Sequence, residues 1–249
     1  MTAVTGLETE VIWHDVECGA YDEDLPVWEQ LAAATTGPIL DLGCGTGRVA
    51  LHLASRGAET HGVDVHLPLL RALGRRAAER GLDVPAWQAD VRRMEPPDTS
   101  FALALAPMQL LQLLGGAEER GAALGRIART IAPGGLAAFA IVEGTETSVG
   151  SARPGVVPDV REVDGWIYSS LPLEVVSRGG CLEVRRLRQI VAPDGMLSET
   201  EQVDRLDVLD APAVEREGGV AGLAPVARHK VSQSEMHVAS TVVVLRREG

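Results

Sequence analysis

The segment Ile39–Gly47, ILDLGCGTG, places one acid and three glycines where a short apolar run ends. Glycines at this spacing let the backbone turn tightly and approach a bulky ligand where a Cβ atom would clash. A helix that starts at such a turn presents its free N–H groups to the ligand. The segment therefore predicts a strand–turn–helix unit that binds a ligand, with Asp41 just before the turn.

Two further acids follow at the ends of predicted strands. Asp64 lies 17 residues beyond Gly47, and Asp90 ends the strand after that. Strand-end acids are often only turn formers, but open α/β sheets bind ligands at the carboxyl ends of adjacent parallel strands. Ligand binding is therefore favoured for Asp64, an exposed acid with few structural partners, and for Asp90. For Asp41 the two roles are balanced.

The glycine spacing tests a dinucleotide cofactor as the ligand. A dinucleotide-binding turn has the pattern GxGxxG, and its third glycine would fall on Arg48. The chain therefore fits a nucleoside cofactor without a pyrophosphate better than it fits NAD.

Strands and helices alternate around this turn. Strands that are apolar throughout are buried on both faces, so the alternation predicts a doubly wound, mostly parallel sheet. The predicted strands are Ile39–Leu42, Glu59–Val63, Val84–Ala89, Phe101–Ala106 and Leu136–Val142, and the predicted helices are Thr46–Arg56, Pro68–Arg80 and Ala117–Ile131.

The flanking segments follow other patterns. Residues 1–22 have no clear period, and a short helix follows Asp24. Gly144–Pro158 is a predicted loop, and an antiparallel meander follows with a tight turn at Pro193-Asp194-Gly195. The meander strands are Gly165–Leu173, Cys181–Val191 and Leu197–Leu206; after them come a helix at Ala211–Gly222 and strands near Val226–Val231 and Val238–Leu245.

Four segments together resemble the successive motifs of class I S-adenosylmethionine (SAM)-dependent methyltransferases. They are Asp41–Gly47, Gly62-Val63-Asp64, Ala89-Asp90-Val91 and Ala132–Gly135, and the resemblance covers about residues 36–143. It implies a Rossmann-like methyltransferase fold with seven strands, the last antiparallel, here with an antiparallel β insertion. The implied organisation is an N-terminal cap (1–36), a SAM-binding α/β core (37–143), a lid insertion (144–206) and the rest of the core sheet (207–249).

The resemblance also implies SAM as the cofactor and assigns its site. Asp64 would accept from both ribose hydroxyls and Asp90 from the adenine amine. Asp41 would act at the methionine end or brace the loop. The full set of implied cofactor-binding residues is Asp41, Gly43, Cys44, Gly45, Thr46, Gly47, Asp64, Val65, Asp90, Val91, Ala106 and Tyr21.

The sequence says less about the residues that bind or activate the methyl acceptor. A general base is needed mainly when the nucleophile is a hydroxyl or a protonated amine, and Glu143, His66 and Tyr168 are the first candidates, with His14, His229 and His237 behind them. Met108 and Gln109 end the fourth strand and either line the acceptor pocket or pack in the core. Trp166 and Tyr168 share one strand face. They either form an aromatic wall for the acceptor or pack the lid onto the core, and the second role is slightly favoured. The signature Asn-Pro-Pro-Tyr of amino-methylases is absent.

The composition of the chain limits the classes of binding partner that we expect. The net charge of -12 argues against nucleic acid and anionic membranes. No signal peptide is visible, so a cytoplasmic location is expected. Three scattered cysteines fit neither a disulfide framework nor a zinc site.

The sequence predicts methyl transfer to an O- or N-nucleophile of a small molecule. A non-catalytic SAM-binding protein is the alternative, aminopropyl transfer is disfavoured, and a homodimer is compatible with the sequence.

Overall fold

A computed structural model describes residues 6–95, 98–143, 150–151, 157–233 and 237–249. The helices are Gly6–Cys18 (α1), Leu25–Ala33 (α2), Arg48–Ser55 (α3), Leu67–Glu79 (α4), Ala117–Thr130 (α5) and Ala211–Val220 (α6), with a 3-10 helix at Leu110–Leu113. The strands are Ile39–Leu42 (β1), Thr60–Asp64 (β2), Ala86–Gln88 (β3), Phe101–Ala106 (β4), Ile131–Ile141 (β5), Gly150–Ser151 (β6), Asp159–Val163 (β7), Trp166–Arg178 (β8), Cys181–Val191 (β9), Leu197–Asp207 (β10), Leu223–Val231 (β11) and Ser240–Arg247 (β12).

The main sheet has seven strands in the order β11-β12-β5-β4-β1-β2-β3. Only β12 runs against its neighbours; the other pairs are parallel. The chain moves outward from β1 through β2 to β3, then returns to β4 on the other side of β1. This reversal creates a crevice at the carboxyl ends of β1 and β4, where open α/β sheets bind ligands. The predicted doubly wound, mostly parallel sheet is confirmed.

Apolar side chains cover both faces of this sheet, which is why β1 is buried at every position. On one face, Leu124 and Ile127 of α5 pack with Val214 of α6. On the other face, Trp28 of α2 packs with Val49 and Leu53 of α3. The sheet is therefore a rigid platform whose strand ends hold their side chains at fixed positions.

The insertion forms a second, antiparallel sheet in the order β10-β9-β8-β6, with β7 also paired to β8. Asp164 and Gly165 both have positive φ angles, 50° and 81°, and make the two-residue turn between β7 and β8. The predicted turn at Pro193–Gly195 joins β9 to β10. Most of the predicted loop Gly144–Pro158 lies outside the described residues, but Gly150–Ser151 pairs with β8, so that part of the loop prediction is wrong.

The N-terminal segment also differs from its prediction. Residues 1–22 show no helical period, yet Gly6–Cys18 is a helix. Ile12, Trp13 and Val16 of this helix pack with Tyr168 of the antiparallel sheet. Helix α1 therefore lies between the antiparallel sheet and the crevice of the main sheet.

Candidate functional site

The glycine turn connects β1 to α3 at the crevice. Gly43, Gly45 and Gly47 have φ angles of 66°, 54° and 91°, a region that side chains with a Cβ atom rarely adopt. The N–H groups of Gly43 and Cys44 donate to the Val63 carbonyl at 2.8 and 3.1 Å, which fixes the turn against β2. The turn therefore exposes backbone at the start of α3, as a ligand-binding turn requires.

Asp64 lies at the end of β2 and faces this turn. Its Oδ2 accepts the N–H of Gly45 at 2.9 Å and its Oδ1 accepts the N–H of His66 at 2.8 Å. The residue is only 9% exposed. Each carboxylate oxygen can accept a second hydrogen bond, so Asp64 can brace the turn and hold a ligand together. The expectation of an exposed acid with few structural partners is wrong.

Asp41 is buried beneath the turn. Its Oδ2 accepts the N–H of Ala50 at 3.1 Å, while its Oδ1 has no hydrogen-bond partner within the described ranges. Burial raises the pKa of this carboxyl to about 8, although the charge of Arg48 opposes the rise. A buried carboxylate oxygen with an unused lone pair fits a ligand that brings a donor or a positive charge.

Asp90 follows β3 at the same edge of the sheet. Its carboxylate binds the Arg92 guanidinium at 2.6 to 3.0 Å and the Arg92 N–H at 2.9 Å. These hydrogen bonds lower the pKa of Asp90, so the group is ionised at neutral pH. Arg92 also pairs with Glu119 of α5 and is not among the residues predicted from the sequence.

Helix α1 docks directly on the turn through Asp15. The carboxylate accepts from Thr46 Oγ1 at 2.9 Å and from two nitrogens of Arg76, and it pairs with Arg161 of β7 at 3.0 Å. Burial alone would raise the pKa of Asp15, but these hydrogen bonds and charges outweigh burial and lower it. Asp15 thus joins the glycine turn, α4 and the antiparallel sheet, a role that the sequence did not reveal.

His14 lies next to Asp15 and packs on the turn. A Cβ atom on Gly45 would lie 2.2 Å from His14 Nε2, so the glycine is needed for this contact. Burial lowers the pKa of His14, although Asp15 and Asp64 oppose the shift. The imidazole is therefore neutral at physiological pH and sits close to the predicted cofactor residues.

Tyr21 lies near the start of α3. The Arg48 guanidinium stacks over its ring at 5.0 Å and is held by Asp24 at 2.6 and 2.8 Å. The ring of His237 also lies beside that of Tyr21, with 4.6 Å between the ring centroids. Tyr21 therefore belongs to the wall between the turn and the carboxyl end of β5.

The three predicted catalytic residues have separate surroundings. Glu143 accepts from Lys230 at 2.7 Å, from Thr241 at 2.6 Å and from the N–H of Ala211 at 3.1 Å. These hydrogen bonds lower the pKa of Glu143 to about 2. A carboxylate with so low a pKa is too weak a base to accept a proton at neutral pH.

His66 and Tyr168 lie elsewhere. His66 is half exposed and pairs with Glu10 of α1 at 2.9 Å. Tyr168 is buried and meets Trp13 edge-on, with 5.5 Å between ring centroids. Trp166 packs against the same cluster. The aromatic pair of β8 thus anchors the antiparallel sheet to α1.

An open cavity of about 540 Å³ lies at the opposite end of β1 and is lined by residues such as Glu29 of α2 and Arg56, which follows α3. It is remote from the glycine turn. Within the described ranges, no cluster of three or more His, Cys, Asp or Glu side chains could hold a metal ion. No described helix is long and apolar enough to span a membrane.

Comparison with known proteins agrees with the fold and the turn. Residues 39–135 match a family model described as a methyltransferase domain. Residues 39–135, about two fifths of the chain, thus resemble a methyltransferase domain, and the family match, the curated relatives and the structural neighbours together support S-adenosylmethionine as the cofactor.

Among curated proteins, the demethylmenaquinone methyltransferase of Thermus thermophilus is 37% identical over 99 residues, which are 39% of this chain and 43% of that protein. The match thus spans less than half of the relative. Among solved structures, Streptomyces venezuelae DesVI superposes with a TM-score of 0.74, 19% identity and full coverage of both chains. The sugar N-methyltransferase KedS8 from a Streptoalloteichus species has a TM-score of 0.73 and 17% identity, covering 100% of this chain and 96% of that one. At these identities the structural likeness shows the fold.

Proposed function

We propose that this protein transfers the methyl group of SAM to an O- or N-nucleophile of a small molecule. The observation that carries the proposal is the joint placement of the glycine turn and Asp64, which hydrogen-bond to each other in the crevice beside β1. Open α/β sheets bind nucleotides and nucleosides at this position.

The residues at the crevice fit this cofactor. Asp64 keeps a free lone pair on each oxygen for the two ribose hydroxyls, and Asp90 offers a carboxylate for the adenine amine. The unused Oδ1 of Asp41 suits the ammonium at the methionine end, where binding would require the carboxyl group, protonated at neutral pH without ligand, to release its proton. The remaining proposed contacts are the backbone of Gly43, Cys44, Gly45, Thr46 and Gly47, the edge residues Val65, Val91 and Ala106, and Tyr21.

Catalysis then rests on positioning and on exclusion of water. The cofactor supplies a methyl group already activated on a sulfonium sulfur, so holding the nucleophile in line with it provides much of the rate. Helix α1 closes over the turn and the antiparallel sheet covers α1, which supports a lid function for residues 144–206. Among the candidate bases, the neutral His14 is better suited to accept a proton than Glu143, whose pKa is lowered to about 2.

The relatives support a small-molecule acceptor without identifying it. The Thermus relative acts on a quinone by its name, and KedS8 is titled a sugar N-methyltransferase. The family match ends at residue 135, before the insertion begins. The match to the Thermus enzyme therefore does not identify the methyl acceptor of this chain. The two structural relatives share the fold over the full length of this chain.

Calorimetry with S-adenosylhomocysteine, SAM and NAD tests the cofactor assignment. We expect micromolar binding of S-adenosylhomocysteine and SAM and no heat with NAD. Absence of both heat and thermal stabilisation with millimolar S-adenosylhomocysteine would contradict the proposal. Methyl transfer from labelled SAM to any small molecule separates an enzyme from a non-catalytic SAM-binding protein with the same fold.

A further inference from the structure

The face of the antiparallel sheet that packs toward α1 carries three ion pairs, and they differ in how completely they are formed. Glu17 of α1 binds Arg188 of β9 at 2.7 and 2.8 Å and also accepts from Ser170 Oγ at 2.8 Å. Asp15 binds Arg161 within the network described above. These two pairs fasten the sheet to α1 at contacts of 2.7 to 3.0 Å.

The third pair, Asp159 of β7 and Arg186 of β9, is open. The closest approach is 3.7 Å between Asp159 Oδ2 and Arg186 Nη1, too long for a hydrogen bond. Arg186 Nη1 is buried and has no hydrogen-bond partner in the described part of the chain. Each side chain is 23% exposed, so the pair is accessible without being solvated like a surface pair. A buried guanidinium N–H left without an acceptor is costly, which suggests that a ligand completes it.

The register of the strands places this pair among polar neighbours. Asp159 lies opposite Ser170, and Ser170 lies opposite Arg188 on the next strand. Burial raises the pKa of the Asp159 carboxyl, although the charge of Arg186 opposes the rise. Asp159 lies two residues before Arg161 on the same face of β7, and Arg161 pairs with Asp15, which accepts from Thr46 of the glycine turn. The open pair therefore lies on the face of the antiparallel sheet that is turned toward the glycine turn.

We propose that Asp159 and Arg186 grip the methyl acceptor, and that this acceptor is a hydroxylated amine or polyol rather than a planar apolar ring. The proposal rests on the proposed function, because it concerns the acceptor of that reaction. A hydroxyl or amino group donates to the Asp159 carboxylate, and a neighbouring oxygen accepts from Arg186 Nη1. A planar ring without such groups would leave both charges unsatisfied.

Calorimetry on the protein saturated with S-adenosylhomocysteine tests this assignment, with D-glucosamine as the polar probe and toluene as the planar probe without hydroxyl or amino groups. We expect glucosamine to bind the unmodified protein and to bind Asp159→Asn and Arg186→Met at least tenfold more weakly. Asp159→Asn keeps the shape of the side chain, and Arg186→Met keeps its apolar stem. Arg185→Met is the matched control, because Arg185 lies on the opposite face of β9, beside Glu174.

The outcomes separate the two proposals. S-adenosylhomocysteine should bind all variants equally, and its failure to bind the unmodified protein would overturn the proposed function and this inference together. If it binds but glucosamine does not, or if glucosamine binds both variants as well as it binds the unmodified protein, only the acceptor assignment is wrong. Tighter binding of toluene than of glucosamine, unchanged by Arg186→Met, would likewise overturn it.

Discussion

At the scale of single residues, Asp64 has two roles that one substitution can separate. Asp64→Asn keeps the shape, but the amide replaces one acceptor with a donor. Hydrogen bonds to a charged group contribute ~1.5–3 kcal/mol each, and ~1.4 kcal/mol is one decade of affinity. We therefore predict at least a tenfold loss of S-adenosylhomocysteine affinity, measured by calorimetry.

The stability of the same variant tests the bracing role. Either the Gly45 or the His66 N–H would face the new amide donor, and an unsatisfied buried donor costs ~1–3 kcal/mol. Asp64→Asn should therefore also lower the free energy of unfolding without ligand, whereas Asp83→Asn, at an exposed turn, should change neither quantity. Normal affinity combined with lower stability would leave Asp64 with a structural role alone.

Asp41 makes stability depend on pH. In the unfolded chain an aspartate ionises near pH ~3.9, whereas in the fold burial raises the pKa of Asp41 to about 8. Between these pH values the folded protein keeps a proton that the unfolded chain has lost, so the free energy of unfolding falls as pH rises. Asp41→Asn removes this dependence.

Thermal unfolding without ligand, measured at intervals across that pH range, checks the prediction. The stability of the unmodified protein should decline toward about pH 8 relative to Asp41→Asn. Taking the difference between the two proteins removes the contribution of His14, whose lowered pKa acts with the opposite sign. Identical slopes for both proteins would show that Asp41 is ionised in the fold.

The site residues that could be predicted from the sequence and those that could not differ in how far along the chain their partners lie. The glycine turn and its acids form a local pattern, so Asp41, Asp64 and Asp90 could be identified from spacing. Asp15 meets Thr46, 31 positions away, and Arg76, 61 positions away. No local pattern records such a partner, and a lone acid in a polar segment carries no signal of burial.

At the scale of elements, β1 and β4 could be predicted accurately because their buried residues are contiguous and apolar. Helix α1 could not. It packs against the turn and α4 on one side and against the antiparallel sheet on another, so buried positions 12, 13, 15 and 16 do not form a single apolar stripe. The buried acid Asp15 among them weakens the apolar pattern further.

The docking of α1 leads to a prediction about ligand release. Asp15→Asn should leave Arg76 and Arg161 without their shared carboxylate and should loosen α1 from the turn. We expect S-adenosylhomocysteine to dissociate faster and to bind at least tenfold more weakly, since ~1.4 kcal/mol is enough for that change. Stopped-flow displacement gives the rate, and hydrogen exchange of residues 9–18 should increase.

Glu10→Gln provides the control on the same helix. Glu10 pairs with His66 at a partly exposed position, where such pairs contribute little. Its dissociation rate should stay close to that of the unmodified protein. If Asp15→Asn releases the ligand at the normal rate while α1 exchanges faster, α1 does not control access to the crevice.

At the scale of the whole molecule, the order of the main sheet brings residues from distant parts of the chain to one edge. The α/β alternation indicated a parallel sheet, and the resemblance to methyltransferases supplied the strand number and the antiparallel last strand. The strands of the insertion could be read from turn signals and β-rich runs. Its packing on α1 through Trp13 and Tyr168 depends on two segments more than 150 positions apart, and nothing in either segment specifies the other.

The distribution of charge leads to the last prediction, that this protein does not bind nucleic acid. The chain carries 23 basic and 35 acidic residues, and its basic residues form only short clusters, such as Arg75-Arg76 and Arg185-Arg186. Arg76 is engaged by Asp15, while Arg185 and Arg186 point to opposite faces of β9 and pair with Glu174 and Asp159.

Binding to duplex DNA or RNA depends on a continuous basic surface that displaces counterions from the phosphates. The dispersed and paired arginines of this molecule offer no such surface among the described residues, and the overall negative field repels a polyanion. A gel-shift titration with a short duplex at physiological salt should therefore show no complex at micromolar protein. Because counterion release makes true binding salt-dependent, a complex that forms at micromolar concentration and weakens steeply as salt rises would refute the prediction. A complex insensitive to salt would point to aggregation instead, which light scattering on the same samples detects.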